Sequence, residues 1–100
     1  MNPRVEIAEG RLEELCMRHG IKRLALFGSV LGDDFNEDSD VDILVEFKPA
    51  TRIGYMGLAG IENELTAVFG RKVDLRTPNE LSRYFRQDIL DSAETLYEAA

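Results

Sequence analysis

Positive charge is in short supply in this chain: 12 lysines and arginines face 19 aspartates and glutamates, for a formal net charge of -7 over 100 residues. Sequence-independent binding to a phosphate backbone is supplied by lysine and arginine clusters, so the charge argues against direct nucleic-acid binding and a basic protein partner is the expected attraction. A nucleotide is not excluded, because metal ions can neutralise a triphosphate. The single histidine rules out a histidine-based metal cluster. The single cysteine, Cys16, cannot form an internal disulfide, and its setting in a helical pattern marks it as a buried filler. No apolar run approaches a membrane span, and Met1-Asn2-Pro3-Arg4-Val5-Glu6 lacks the apolar core of a secretory signal, so the chain is expected to be cytoplasmic, without membrane contact. Repeats and low-complexity tracts are absent too. With 44% hydrophobic residues, residues 1–100 are expected to form one small domain.

Asn2-Pro3 offers an N-cap and a first-turn proline, after which Val5, Ala8, Leu12 and Leu15 recur at helical spacing until His19-Gly20 stops them. His19, at a helix end, reads as a surface imidazole stabilised by the helix dipole rather than as a ligand or base. The short apolar run Ile21–Phe27 reads as a strand leading into Gly28-Ser29. The segment 32–39, rich in Asp, Asn and Gly, reads as a loop forming the rim of a site. Within it Asp33, Asp34 and Glu37 are solvated charge, and Asp38 and Ser39 shape the turn into the next strand.

A second strand follows in Asp40-Val41-Asp42-Ile43-Leu44-Val45 and ends before Lys48-Pro49. A helix over residues 53–69 is closed by Gly70. Its Gly54, Gly57 and Gly60 miss the dinucleotide spacing and follow no strand directly, so they are read as sites of close helix packing or fraying. Thr77-Pro78-Asn79-Glu80 has the form of a capping box, and Leu81, Phe85, Ile89, Ala93 and Tyr97 then recur every four residues, predicting a terminal helix, broken at most once. With a further strand at Lys72-Val73-Asp74-Leu75, these elements give an α/β (α+β) domain with a small mixed sheet packed against helices, covered mainly on one face.

Chemistry concentrates around the second strand. Period two sends Val41, Ile43, Val45 and Phe47 to one side, so Asp40 and Asp42 share the other. Like charges held that close on an apolar strand repel unless cations or protons relieve them. Mg²⁺ is the simplest relief, because it takes oxygen ligands and is typically held by one or two carboxylates plus substrate phosphates. Taken alone, Gly28 permits a turn and Ser29 caps a helix. Beside two aspartates, the glycine also lets backbone N–H groups approach phosphate oxygens, and the serine hydroxyl can bind one.

Gly28-Ser29, ten residues, then Asp40-x-Asp42 resembles the signature of the DNA polymerase beta-like nucleotidyltransferase superfamily, in particular its minimal branch, the MNT-domain antitoxins of HEPN/MNT toxin–antitoxin pairs. Members of the superfamily carry a third carboxylate on a later strand, which Asp74 resembles. Many members also carry an arginine after the Gly-Ser pair, where this chain reads Val30-Leu31-Gly32-Asp33-Asp34. The resemblance implies a polymerase-beta-like core with Asp40, Asp42 and Asp74 as catalytic residues and metal ligands, Gly28 and Ser29 as nucleotide contacts, two Mg²⁺ ions as cofactor and ATP as donor.

It also implies a hetero-oligomeric complex with a HEPN-domain ribonuclease toxin, silenced when AMP is transferred to a tyrosine hydroxyl and pyrophosphate is released. An acidic antitoxin would be steered toward a basic ribonuclease. Tyr84, Phe85, Leu96 and Tyr97 are candidates for the docking surface, with packing on the chain's own sheet the competing use. Two other functions are left open: transfer to a small molecule, and neutralisation of the partner by binding alone.

Overall fold

The computed structural model describes residues 9–28 and 40–99. The expected N-cap at Asn2-Pro3, the hydroxyl of Ser29 and the polar segment 32–39 lie outside the described residues. The elements run α1 (Glu9–His19), β1 (Ile21–Phe27), β2 (Val41–Phe47), α2 (Tyr55–Phe69), β3 (Val73–Arg76), a 3-10 turn (Pro78–Glu80), α3 (Arg86–Ser92) and β4 (Glu94–Glu98). The four strands form one mixed sheet in the order β3-β2-β1-β4. β1 pairs antiparallel with β2 and β4, and β2 pairs parallel with β3 through the crossover helix α2.

One face of the sheet makes the core. Val41, Ile43 and Val45 of β2 and Val73 and Leu75 of β3 are buried there, as period two requires. Ile21 and Leu24 of β1 are both buried in the same cluster although they are three residues apart. A register shift between Ile21 and Arg23 resolves the phase, because a bulge inserts the odd residue that strict alternation lacks. Against this face α1 sets Leu12, Leu15 and Cys16, and α2 sets Ile61, Leu65 and Phe69. Full burial of a side chain such as Leu65 stabilises by about 1.5–3 kcal/mol. Cys16 is fully buried, and desolvation pushes its thiol up to about 12, which leaves it inert filler.

Polar side chains settle the rest of the packing. β3 is an edge strand, and the N–H groups that point away from β2 would be open to another strand. α2 closes them: Val73 N donates to Thr66 Oγ1 (3.1 Å) and Leu75 N donates to Glu62 Oε2 (2.8 Å). The two helices are tied by Glu64, which accepts from Arg18 Nη1 at 2.7 Å and faces His19 Nε2 at 2.5 Å. His19 is therefore half-buried against the Glu64 carboxylate rather than exposed at the helix end. At its C-terminus α2 ends on Gly70, whose φ of 69° lets its N–H return to Thr66 O (2.9 Å).

The predicted terminal helix is replaced by other structure. The capping box at Thr77 forms, but it opens only the 3-10 turn, and α3 stops at Ser92. Residues Glu94–Glu98 instead add β4 to the free edge of β1. Leu96 and Tyr97 pack against the core, so a recurrence every four residues was satisfied by two elements with different periods. The glycines at and near the start of α2 divide between close packing and open space. A Cβ on Gly57 would meet Ile53 at 3.3 Å, whereas Gly54 and Gly60 face open space.

Candidate active site

The opposite face of the sheet carries the acids. Parallel pairing puts Asp42 directly beside Asp74, and neighbouring strands lie about 4.7–4.9 Å apart, so the two carboxylates rise side by side. Asp40 stands just before β2, in phase with Asp42, and Val41 N donates to Lys72 O (2.9 Å) to hold this end of the pair. The same face is closed further along by Ala25 and Leu44, both buried, with Leu44 in register with Arg76. It is therefore more covered than period two suggested, and the acids sit at its open end.

Gly28 meets them from β1. Phe27 pairs with Asp42, and the next residue turns with φ 75°. A Cβ at Gly28 would collide with Asp42 Oδ2 and lie 3.2 Å from its Cγ. Glycine serves here twice over: it takes a left-handed backbone conformation, and it leaves the Asp42 carboxylate where a side chain would push it aside.

Two cations frame the acids, and neither was singled out from the sequence. In phase with Asp74 are Lys72, just before β3, and Arg76, its last residue. Lys72 Nζ stands 4.0 Å from Asp40 Oδ2. Arg76 Nη2 donates to Asp74 Oδ2 at 3.2 Å, and its Nη1 lies 3.9 Å from Glu80 Oε2. The Arg76 guanidinium is held in its charged form first by the hydrogen bond to Asp74, then by the charges of Asp74, Glu80 and Asp42. The alternation Lys72, Asp74, Arg76 is visible in the sequence, but its meaning depends on the pairing with β2.

Three carboxylates on one face form a hard oxygen donor set, which suits Mg²⁺, and the site fits the ion in donor chemistry. They are not drawn to one point: among the described residues no group of three or more acidic, imidazole or thiol side chains is gathered to hold an ion. Asp40 leans to Lys72 and Asp74 to Arg76.

Asp74 also lines a cavity of about 210 Å³ with Tyr55, Leu58, Ala59, Glu62, Arg76 and Glu80. This cavity shares Tyr55, Leu58 and Glu80 with a neighbour of about 350 Å³ that runs to Phe47 and Ile53. The pair makes a cleft along the start of α2 that ends at Asp74. Of the candidate docking residues, Tyr84 and Phe85 are exposed, at 77% and 63%, whereas Leu96 and Tyr97 face the core. His19 and Cys16 belong to the helical side of the sheet and take no part. No helix among the described residues is long and apolar enough to cross a membrane.

Comparison with known proteins identifies the family and the fold. The nucleotidyltransferase domain family matches residues 9–96. A Methanocaldococcus jannaschii protein assigned as a protein adenylyltransferase is 35% identical over 79 residues, covering 79% of this chain and 83% of its own length. The protein adenylyltransferase MntA of Thermococcus cleftensis is 33% identical over 78 residues, 78% of this chain and 77% of that one. Among solved structures, one assigned to a minimal nucleotidyltransferase superposes with a TM-score of 0.69 at 32% identity, covering 85% of each chain. A toxin–antitoxin structure with AMP-PNP gives 0.71 at 20% identity, covering 93% of this chain and 75% of that one, a likeness of fold. With the acid pair, the glycine beside it and a match across nearly all its length, this chain belongs to the nucleotidyltransferase domain family and has the fold of a minimal nucleotidyltransferase.

Proposed function

We propose that this protein is an antitoxin that transfers AMP from ATP to a tyrosine hydroxyl of a HEPN-domain ribonuclease and so silences it. The observation that carries this is the in-register pair Asp42 and Asp74 with Asp40 in phase, beside a glycine whose missing Cβ leaves room for the Asp42 carboxylate. Relatives named protein adenylyltransferase supply the reaction class. The partner class comes from structural neighbours such as a tri-AMPylated Shewanella oneidensis HEPN toxin in complex with its MNT antitoxin, which has a TM-score of 0.63 at 20% identity and covers 91% of this chain and 70% of that one.

Asp40, Asp42 and Asp74 would hold two Mg²⁺ ions, which in such sites stabilise the attacking and leaving oxygens of an in-line displacement. Gly28 and Ser29 bring backbone N–H groups and a hydroxyl to the phosphates. The acceptor enters by the cleft that ends at Asp74, which takes the phenolic proton as the oxygen attacks the α-phosphorus. The bond from the α-phosphorus to the bridging oxygen breaks, and pyrophosphate leaves. The net charge of -7 favours encounter with a basic partner. The chain then acts in the cytoplasm, where ATP is available, without membrane or direct nucleic-acid contact.

The test is transfer of label from α-labelled ATP, with Mg²⁺, to a HEPN protein encoded beside this one. Labelling that depends on Asp40 and Asp42 and maps to a tyrosine is the expected result. Label on a small molecule instead, or neutralisation retained by Asp40→Ala/Asp42→Ala without labelling, would replace this function with one of the other two.

A further inference from the structure

Resting on the assignment of Asp40, Asp42 and Asp74 as the metal-holding face, we propose that Arg76 and Glu80 form a partner-exchange latch that sets how readily Asp74 takes a divalent cation. β3 points Asp74 and Arg76 to the same side, and Arg76 Nη2 occupies Asp74 Oδ2 at 3.2 Å. A cation at Asp74 must compete with the guanidinium for that oxygen. Side-chain exposures of 35% for Asp74 and 46% for Arg76 leave both within reach of solvent and ions.

Glu80 provides the second position. Its Oε1 accepts from Thr77 N at 3.0 Å, one half of the capping box of the 3-10 turn, and also from Thr77 Oγ1 at 3.1 Å. With that oxygen fixed, Oε2 is aimed at Arg76 Nη1, 3.9 Å away. The guanidinium thus stands between a carboxylate the cation needs and one anchored by the backbone. It needs only a small movement to trade one for the other, and its planar fork can keep a carboxylate at each end. While Asp74 is without a cation, Arg76 relieves the repulsion between Asp42 and Asp74. Once the cation binds, Glu80 retains the guanidinium. Arg76 is a positioning residue in this scheme, acting through Asp74.

Mn²⁺ affinity, measured by electron paramagnetic resonance on the whole protein without nucleotide, tests the latch. Arg76→Met should tighten binding about fivefold, the upper end for a half-exposed ion pair. Glu80→Gln keeps the cap through its amide oxygen but withdraws the second acceptor, and should weaken binding about threefold. In the double variant no guanidinium remains for residue 80 to hold, so its affinity should equal that of Arg76→Met. Simple addition of charges predicts instead a return toward wild type, which would overturn the latch, as would an unchanged affinity in Glu80→Gln. Arg76→Gln serves as a second variant if Arg76→Met fails to fold. Mn²⁺ binding that is unchanged in Asp40→Ala/Asp42→Ala would overturn the metal-holding face itself, a distinct outcome.

Discussion

Replacing Gly28 by alanine separates the backbone demands of the fold from the spatial demands of the site. At φ 75° an alanine costs about 1–2 kcal/mol relative to right-handed backbone, offset by about 0.4–1 kcal/mol from the stiffer unfolded chain. The expected net loss is ~1 kcal/mol, which in a domain of this size lowers Tm by about 4–8 °C. Gly70 supplies the control. Its φ of 69° imposes the same strain, but a Cβ there meets nothing within 4 Å. Gly28→Ala and Gly70→Ala should therefore melt at similar temperatures and differ in function. At Gly28 the new methyl drives into Asp42 Oδ2 and displaces that carboxylate. A displacement of about 1 Å in a reacting group can cost on the order of 100-fold in rate. Calorimetry gives the first quantity and initial rates of labelled AMP transfer the second. If Gly28→Ala transfers AMP as fast as Gly70→Ala, the close approach of Gly28 to Asp42 has no role in the chemistry.

Other predictions concern the acceptor side and the scaffold. Asp74→Asn should lower transfer by about 100-fold or more while the protein still binds ATP, and a wild-type rate would remove Asp74 from proton transfer. Glu62→Ala takes the acceptor from Leu75 N on the sheet edge and should cost about 1 kcal/mol in chemical denaturation; an unchanged midpoint would mean that water serves equally well. Glu64 has its carboxyl held below the ordinary carboxylate range, chiefly by the Arg18 hydrogen bond and then by His19. A pKa lower in the folded state gives stability that is complete above the unfolded value of about 4.3 and is lost as pH falls through the folded value. Glu64→Gln should therefore flatten the acid limb of the stability profile by no more than ~0.5 kcal/mol, because the carboxylate is 36% exposed.

What the sequence made legible was local and periodic. The alternation of Val41, Ile43 and Val45 put Asp40 and Asp42 on the outer face before any pairing was known, and helical spacing placed Cys16 inside. The Thr77 capping box forms as its tetrapeptide indicates. β4 was missed because Ala93 and Tyr97 continue a four-residue recurrence through Ile89, and a five-residue strand built on an edge owes its existence to β1 rather than to its own pattern. Arg76, Glu62 and Thr66 were silent for a related reason. Each acts across elements, on Asp74 beside it and on backbone groups of the β3 edge, and no periodicity in one segment reports a partner in another. The bulge in β1 is of the same kind, since it appears only as a mismatch with β2.

The most direct test of a nucleotidyl-transfer centre on this face is a crystal structure of the protein with Mn²⁺ and a non-hydrolysable ATP analogue, with the metal located by its anomalous scattering. Manganese is expected on Asp40 and Asp42, extending to Asp74, with the phosphates against Gly28 and Arg76 turned to Glu80. Manganese and phosphates bound elsewhere, with Asp74 still paired to Arg76, would mean that this face is not the nucleotidyl-transfer centre.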